Sequence, residues 1–274
     1  MATVKVRATA TPRESEQRVR SILERIRTPN AVTGRIGACL YGGNGAGKTT
    51  ILATMPGRGL VIDVPQFEGG TNVLSEHAGR IDVIEANEWN DFEDIALMLE
   101  SGKHDYKWYA LDTVTGAQKL AKIRTLHERP IDFDPTIIDQ QDWGKIGEYM
   151  ERMTLRLRAL PLHGIFLAQE NYRDKEGMWM PDITPAARRG LLPSMFLVGR
   201  MYVREVHTEN GVEYEHLMRV GPGERTTTKQ RANPGRDLPP VLKNPDLNAI
   251  FAWMLGNPKA ERPEEATTES IFSL

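Results

Sequence analysis

The sequence predicts an α/β fold with a mostly parallel sheet flanked by helices. Short apolar runs alternate with amphipathic segments of helical period between residues 34 and 256, which is typical of a sheet covered on both faces. A glycine-rich loop, LYGGNGAGKTT at 40–50, overlaps the end of the first apolar run. Further along, the tripeptide ENG at 209–211 separates two more runs and predicts a C-terminal β-hairpin.

The first half of the chain supplies most of the predicted sheet. Apolar residues at helical spacing predict a helix over 14–27, which the tripeptide TPN ends. Compact apolar runs predict strands at 35–41, 59–64, 80–86 and 106–113. Helices are predicted between these runs, at 48–55, 87–99 and 115–128.

The second half begins with a long helix over 142–160, because its apolar residues recur three and four apart. A strand follows at 163–170, after which no clear period returns until 196. The hairpin strands are predicted at 196–206 and 212–220, and a last short helix at 245–255.

Composition divides the chain into an N-terminal arm and helix (1–33), one core (34–256) and a disordered acidic tail (257–274). The 274 residues are 40% hydrophobic and carry a net charge of −2, so any nucleic-acid contact must depend on local clusters. The single cysteine, Cys39, excludes a disulfide framework. No apolar stretch approaches the ~18 residues of a membrane span, so we expect a soluble, intracellular protein with no membrane partner.

The glycine-rich loop matches the pattern G-x-x-x-x-G-K-[ST], with Gly42, Gly47, Lys48 and Thr49 at the fixed positions. Glycines let backbone N–H groups turn inward around a phosphate, and the following helix directs its positive end at the same anion. The pattern therefore predicts a P-loop that binds ATP. The predicted nucleotide-binding residues are Gly42, Gly43, Asn44, Gly45, Ala46, Gly47, Lys48, Thr49 and Thr50.

Two side chains are predicted to hold Mg²⁺ beside the phosphates. The Thr49 hydroxyl follows the P-loop lysine, and Asp112 ends the apolar run WYALD at the carboxyl tip of a strand. Ligands of open α/β sheets bind at those tips, so Asp112 fits the acid that orients the water shell of the metal.

Hydrolysis also needs a group that positions the attacking water. Asp63 and Glu68, after the strand GLVID, are the two candidates. We favour Glu68, because the neighbouring glycines at 69–70 permit close backbone approach to a ligand; Asp63 is the second choice.

Taken in order, the segments GGNGAGKT, VIDVPQFEGG, YALDT, FLAQE and KQR resemble the RecA-like branch of P-loop ATPases. The layout is also similar to small phage-encoded nucleotide-binding proteins, including the single-strand annealing recombinases of the Sak group. The resemblance covers about residues 34–232. It implies ATP and Mg²⁺ as cofactors, single-stranded DNA as a partner, self-association as a ring or filament, and the cytoplasm of a bacterial host.

The resemblance also assigns roles to individual residues. Gln169 is similar to the polar sensor that links the γ-phosphate to a DNA-binding loop, and Lys229 with Arg231 resembles the basic pair that enters a neighbour's ATP site. Residues 129–142 and 170–195 match the positions of the two DNA-binding loops. One departure is Pro65, which occupies the position where RecA-like proteins often carry their catalytic glutamate.

Local charge supports a contact with DNA. Four arginines and no acid lie in 183–204, and four basic residues and no acid lie in 225–236. Within the second predicted loop, the DNA-binding candidates are Arg173, Lys175, Arg188 and Arg189. Glycine and proline on both sides of the last two predict an exposed loop, and the aromatic residues Tyr172 and Trp179 are suited to stacking on bases.

These observations predict an ATP-hydrolysing protein that binds single-stranded DNA and acts in phage recombination, by annealing or strand exchange. Two other classes stay open: a helicase or packaging-type motor, and a P-loop kinase of small molecules. The acidic tail ends in an apolar IFSL, so it either docks on a single-strand-binding protein or only keeps the chain soluble.

Overall fold

The computed structural model describes residues 12–26, 34–129, 137–173, 177–208, 211–223 and 225–266. The chain divides into two units, Met1–Ala31 and Val32–Leu274. The first unit contains helix α1 (Pro12–Leu23), on which three apolar side chains are more than half exposed, namely Val19, Ile22 and Leu23.

The second unit holds the sheet and its helices. Its strands are β1 (Gly37–Gly42), β2 (Gly59–Asp63), β3 (Ile81–Glu85), β4 (Trp108–Asp112), β5 (His163–Arg173), β6 (Met178–Pro181), β7 (Leu197–Thr208), β8 (Gly211–Arg219), β9 (Lys229–Gln230) and β10 (Val241–Lys243). Its α-helices are α2 (Trp89–Glu100), α3 (Val114–His127), α4 (Gln140–Ala159), α5 (Pro185–Ser194) and α6 (Leu247–Met254). Two 3₁₀ helices span Thr50–Thr54 and Thr71–His77.

The strands join one sheet in the order β10-β8-β7-β1-β5-β4-β2-β3, with β6 paired to β5 and β9 to β7. Every pairing from β7 to β3 along this order is parallel, while β8 pairs antiparallel with β7 and β10 antiparallel with β8. This confirms the predicted α/β fold, and β7 with β8 forms the predicted hairpin. One consequence of the order matters for the site: β5 lies between β1 and β4.

Successive residues of a strand point to opposite faces of the sheet. Both faces are buried. On β1, Cys39 and Tyr41 pack into the cluster that contains α2, α3, α4 and α5 residues, while Ala38 and Leu40 pack with the 3₁₀ helix at 50–54 and α6. In the described part of the chain, no helix has the length and hydrophobicity needed to cross a membrane.

The segment after the P-loop differs from the prediction. The predicted helix over 48–55 is a 3₁₀ helix over Thr50–Thr54. Its start has one hydrogen bond of α-helical spacing, from Ile51 N–H to the Gly47 carbonyl at 3.0 Å. Pro56 and Gly57, the latter at φ 71°, end the segment after little more than one turn. A helix this short commonly adopts the tighter 3₁₀ geometry.

The segment 170–195, predicted as a loop, is mostly regular structure. Strand β5 runs on to Arg173 and pairs with β6 as an antiparallel hairpin, and α5 follows. Thr184 caps α5 with its hydroxyl and Pro185 occupies the first turn, where the missing N–H of proline is tolerated. The proline that suggested a loop therefore starts a helix. Gln140, earlier in the chain, begins α4 inside the first predicted DNA-binding loop, of which residues 130–136 lie outside the described residues.

The predicted disordered tail also needs correction in its first part. Lys243 N–H donates to the Glu264 carbonyl at 3.2 Å, Ala266 N–H donates to the Val241 carbonyl at 3.0 Å, and Ala266 is buried. The segment 264–266 is therefore held against β10 by backbone bonds and by one apolar contact. The apolar chain end within 267–274 lies outside the described residues.

Candidate nucleotide-binding site

The carboxyl ends of the parallel strands bring the predicted site residues together. Gly42 ends β1 and is level with Gln169 of β5, and Asp63 of β2 is level with Asp112 of β4. Because β5 lies between β1 and β4, Gln169 stands between the phosphate-binding loop and the metal-binding acid. The sheet order thus explains why residues far apart in sequence share one edge.

The loop after Gly42 has the backbone geometry that an anion needs. Gly45 and Gly47 have φ values of 78° and 86°, in the left-handed region that glycine enters without strain. A side chain on Gly42 would place its Cβ 2.2 Å from the Met201 carbonyl oxygen. Only glycine fits there, so the close packing of β1 against β7 fixes where the loop begins.

Lys48 is buried inside this loop. Its ammonium donates to the Gly42 carbonyl at 2.8 Å, the Gly43 carbonyl at 2.9 Å and Gln169 Oε1 at 3.1 Å. Burial lowers the pKa of Lys48, while the carboxylates of Glu68 and Asp112 oppose that shift. The loop carbonyls and the amide thus hold the ammonium at the mouth of the phosphate site.

Thr49 and Asp112 form the predicted metal-binding pair. The Thr49 hydroxyl donates to Asp112 Oδ2 at 2.7 Å, across the gap between the loop and β4. Burial raises the pKa of Asp112 to about 6, a shift that the bond from Thr49 opposes. A hydroxyl and a carboxylate are hard oxygen ligands that suit Mg²⁺ bound with phosphate and water. No group of three or more His, Cys, Asp or Glu among the described residues forms a separate metal cluster.

The two candidate water-positioning acids occupy different places. Glu68 lines the cleft, where its carboxylate accepts from the Thr113 hydroxyl at 2.9 Å and from the Gln169 amide at 2.7 Å. Asp63 is buried beside it, accepts from the Thr71 hydroxyl at 3.1 Å and does not line the cleft. Burial raises the pKa of Asp63, so its surroundings oppose the charge that a base requires.

Gln169 connects these groups to the next segment of the chain. Its side chain contacts both Lys48 and Glu68, and its backbone carbonyl accepts from Asp182 N–H at 2.8 Å, just after β6. Its backbone N–H donates to the Thr115 hydroxyl at 3.1 Å. Gln169 therefore links the P-loop lysine to Glu68 and to the segment that follows β6.

The cleft over the P-loop has a volume of about 540 Å³, within the range of small-molecule sites. Among the described residues that line it, Lys48 is the only lysine or arginine. Sequence reasoning missed three contributors: Thr113, Thr71 and His216. Thr113 follows β4, and Thr71 begins the second 3₁₀ helix and donates to the buried Asp63. His216 lies on the solvent-exposed part of the hairpin, where no local pattern distinguishes it.

Lys229 and Arg231 lie away from the cleft of their own chain. Lys229 pairs with Val198, near the start of β7, and its ammonium donates to the carbonyls of Leu192 at 3.0 Å and Pro193 at 2.7 Å. A cation at the C-terminal end of α5 stabilises the helix dipole. Burial, Arg231 and Arg158 lower the pKa of Lys229 to about 8. Lys229 therefore has a structural contact within its own chain, whereas the Arg231 side chain is exposed.

The predicted DNA-binding arginines do not form one exposed loop. Arg188 and Arg189 lie on α5; Arg188 is half-buried and contacts the Met180 sulfur, and Arg189 is exposed. Arg173 ends β5 next to the exposed Tyr172, and Lys175 lies outside the described residues.

Two arginines of the charge-rich stretch 183–204 are paired with acids. Arg200 is buried, donates to Glu170 at 2.9 Å and stacks over Trp179 with its guanidinium 4.2 Å from the ring centre. Arg204 forms an ion pair with Glu215 on the neighbouring strand of the hairpin. The counted excess of basic residues therefore overstates the charge available to a phosphate backbone.

Comparison with known families agrees with this geometry. The family described as AAA domain matches residues 35–232, from the start of the first core strand to just beyond β9. A comparison with curated proteins gives no match. Since the family match covers well over half of the chain and includes the phosphate-binding loop, the chain belongs to the AAA domain family of P-loop ATPases.

Proposed function

We propose that this ATPase binds single-stranded DNA and acts in homologous recombination, by strand annealing or strand exchange, as a ring or filament. The resemblance of its ordered motifs to RecA-like proteins supports the proposal. So does one structural observation: Gln169 contacts Lys48 and Glu68 and belongs to the same strand as the aromatic hairpin formed by β5 and β6.

The residues of the cleft account for ATP hydrolysis. The loop N–H groups and Lys48 bind and orient the triphosphate, and Thr49 and Asp112 would hold Mg²⁺. When bound, the metal supplies positive charge that offsets the charge developing on the phosphoryl oxygens. Glu68 accepts a proton from the attacking water, and its bonds from Thr113 and Gln169 fix the carboxylate for that task.

Coupling to DNA runs along β5. A bound γ-phosphate competes with Gln169 for the Lys48 ammonium, which now contacts the amide at 3.1 Å. Three residues further along the strand, Tyr172 packs on Trp179 with ring centres 4.9 Å apart. Aromatic faces of this kind stack on unpaired bases, at about 1–3 kcal/mol per base. Strand β5 therefore connects the γ-phosphate site directly to a base-stacking surface.

The test is ATP turnover with and without a long single strand. The wild-type rate should rise when the strand is added. Gln169→Ala should still bind ATP and keep a low DNA-independent rate, but lose the stimulation. Gln17→Ala changes an exposed glutamine of α1, outside both predicted DNA-binding loops, and serves as the matched control.

Three results would contradict the proposal: wild-type turnover indifferent to DNA, ATP consumption that requires a small-molecule acceptor, or processive strand displacement from a duplex. The second indicates a kinase and the third a helicase-type motor.

A further inference from the structure

A second cavity continues from the nucleotide cleft on the side away from Glu68. It has a volume of about 210 Å³ and shares Gly47, Thr50 and His216 with the first. The two cavities are thus neighbouring parts of one surface, and they meet at Gly47.

The orientation of a bound triphosphate follows from the P-loop. Lys48 serves the β- and γ-phosphates, and Gln169 and Glu68 stand beside it at the γ end. The loop backbone towards Thr50 cradles the α-phosphate end. The nucleoside must therefore leave the loop at Thr50, where the second cavity begins.

The lining of this cavity suits a flat heterocycle. Ile51 and Met201 are buried apolar side chains, and a methionine sulfur packs favourably against aromatic rings. Thr54 is already occupied, since its hydroxyl donates to the Ile51 carbonyl at 2.7 Å and accepts from Leu247 N–H at 2.8 Å. The polar groups at the rim are the exposed side chains of His216 and Asn244.

Asn244 has an unusual backbone. In the described part of the chain it is the only non-glycine residue with φ in the left-handed region, at 43°. Its N–H donates to the His216 carbonyl at 2.8 Å, which ties the two residues together directly after β10. Such conformations cluster at ligand-binding positions. An asparagine amide offers one donor and one acceptor side by side, the arrangement that pairs with the amino group and ring nitrogen of adenine.

We propose that this cavity binds the adenine base of the nucleoside triphosphate, with Asn244 pairing with the base edge and His216 packing against the base and sugar. The inference rests on nucleotide binding by the P-loop, which belongs to the proposed function, but not on DNA binding. It assigns base recognition to the C-terminal strands β8 and β10, outside the loop motifs.

Calorimetric titration with Mg²⁺ and ATP, GTP or inorganic tripolyphosphate tests the proposal. Asn244→Gly keeps the left-handed backbone and removes the amide. It should weaken ATP binding about tenfold, which corresponds to about 1.4 kcal/mol, and leave tripolyphosphate binding unchanged. His216→Ala should act in the same direction. Asn244→Asp should shift the preference from ATP to GTP, because a carboxylate accepts from the two adjacent donors of guanine.

Asn87→Ala and His207→Ala, exposed residues that line neither cavity, are the controls and should bind ATP as the wild type does. Unchanged ATP affinity in Asn244→Gly overturns the proposal, as does an equal loss of tripolyphosphate binding, which would indicate a distorted P-loop. A wild type that binds neither ATP nor tripolyphosphate would instead remove the nucleotide-binding premise. Absence of DNA stimulation leaves this binding test unaffected, so the two failures are distinguishable.

Discussion

Gln169 donates from its side-chain amide to the Glu68 carboxylate at 2.7 Å, so the proposed γ-phosphate sensor and the proposed water-positioning acid share one hydrogen bond. The bond fixes the carboxylate, and any movement of Gln169 alters the orientation of Glu68. In the proposed function, nucleotide sensing and hydrolysis are therefore coupled through this bond.

Glu68→Gln should lower ATP turnover by about 10²–10⁴-fold, the usual contribution of a general base, with ATP binding retained. The glutamine carbonyl still accepts from Gln169, so the fold and the sensor contact survive. Asp63→Asn is the matched comparison, because Asp63 is buried beside the cleft without lining it. A larger loss of turnover in Asp63→Asn than in Glu68→Gln would reverse the assignment of the two acids.

Arg231→Ala protein mixed with Lys48→Ala protein should recover part of the wild-type turnover if Arg231 acts across a subunit interface. A mixed interface then joins an intact P-loop to an intact arginine. Arg231 is the better probe of the basic pair, since Lys229 also holds the end of α5. Glu68→Gln mixed with Lys48→Ala is the control, as both changes disable the same cleft. Assembly without rescue at every mixing ratio contradicts the trans-acting role.

Arg189→Ala should weaken single-strand binding about equally for all sequences and reduce its salt slope by about 1, as the loss of one phosphate contact does. Arg188→Ala should instead lower thermal stability, because its half-buried side chain contacts Met180. Binding titrations at several salt concentrations and melting curves of the same samples separate the two effects. An unchanged salt slope in Arg189→Ala would assign this arginine to a structural role as well.

The free energy of unfolding should fall as pH drops below about 6.5 because of His163. Its ring accepts a hydrogen bond from Ile36 N–H at 3.0 Å and packs on Phe251, and burial lowers its pKa from 6.5. The unfolded chain then binds more protons than the folded chain in acid, so acid favours unfolding. His163→Gln keeps an acceptor without a titrating ring. Urea unfolding at pH 8 and pH 5 should show a smaller loss in this variant than in the wild type; equal losses would contradict the assignment.

Sequence patterns predicted the fold class because each buried strand is a short apolar run and each covering helix has one apolar stripe. The P-loop was equally accessible, since its function fixes residue types at fixed spacing. Segment 170–195 was misread because Pro185 and Gly190 weaken the helical pattern, and the Thr184 cap and the contacts with α4 outweigh them.

Several contacts in the site join residues that are distant in sequence and are brought together only by the order of the strands in the sheet. Thr113 reaches Glu68 because β4 and β2 are neighbours, and His216 reaches Gly47 because the hairpin adds to the far side of β1. In both pairs the partners are distant in sequence and carry no shared pattern. The pairing of Arg200 and Arg204 with acids was equally hidden, since residue counts do not show which charges meet.

The backbone bonds between 264–266 and β10 affect how copies of this chain can associate through the edges of their sheets. An uncovered outer strand offers its free N–H and C=O groups to another sheet. Repeated addition of copies needs an uncovered strand at both edges of the sheet. Here the β10 side is capped by the chain's own residues, and β3 on the other side bears two acids, Asp82 and Glu85. Pairing through β10 or β3 is therefore disfavoured, and the proposed ring or filament would be built through side-chain surfaces.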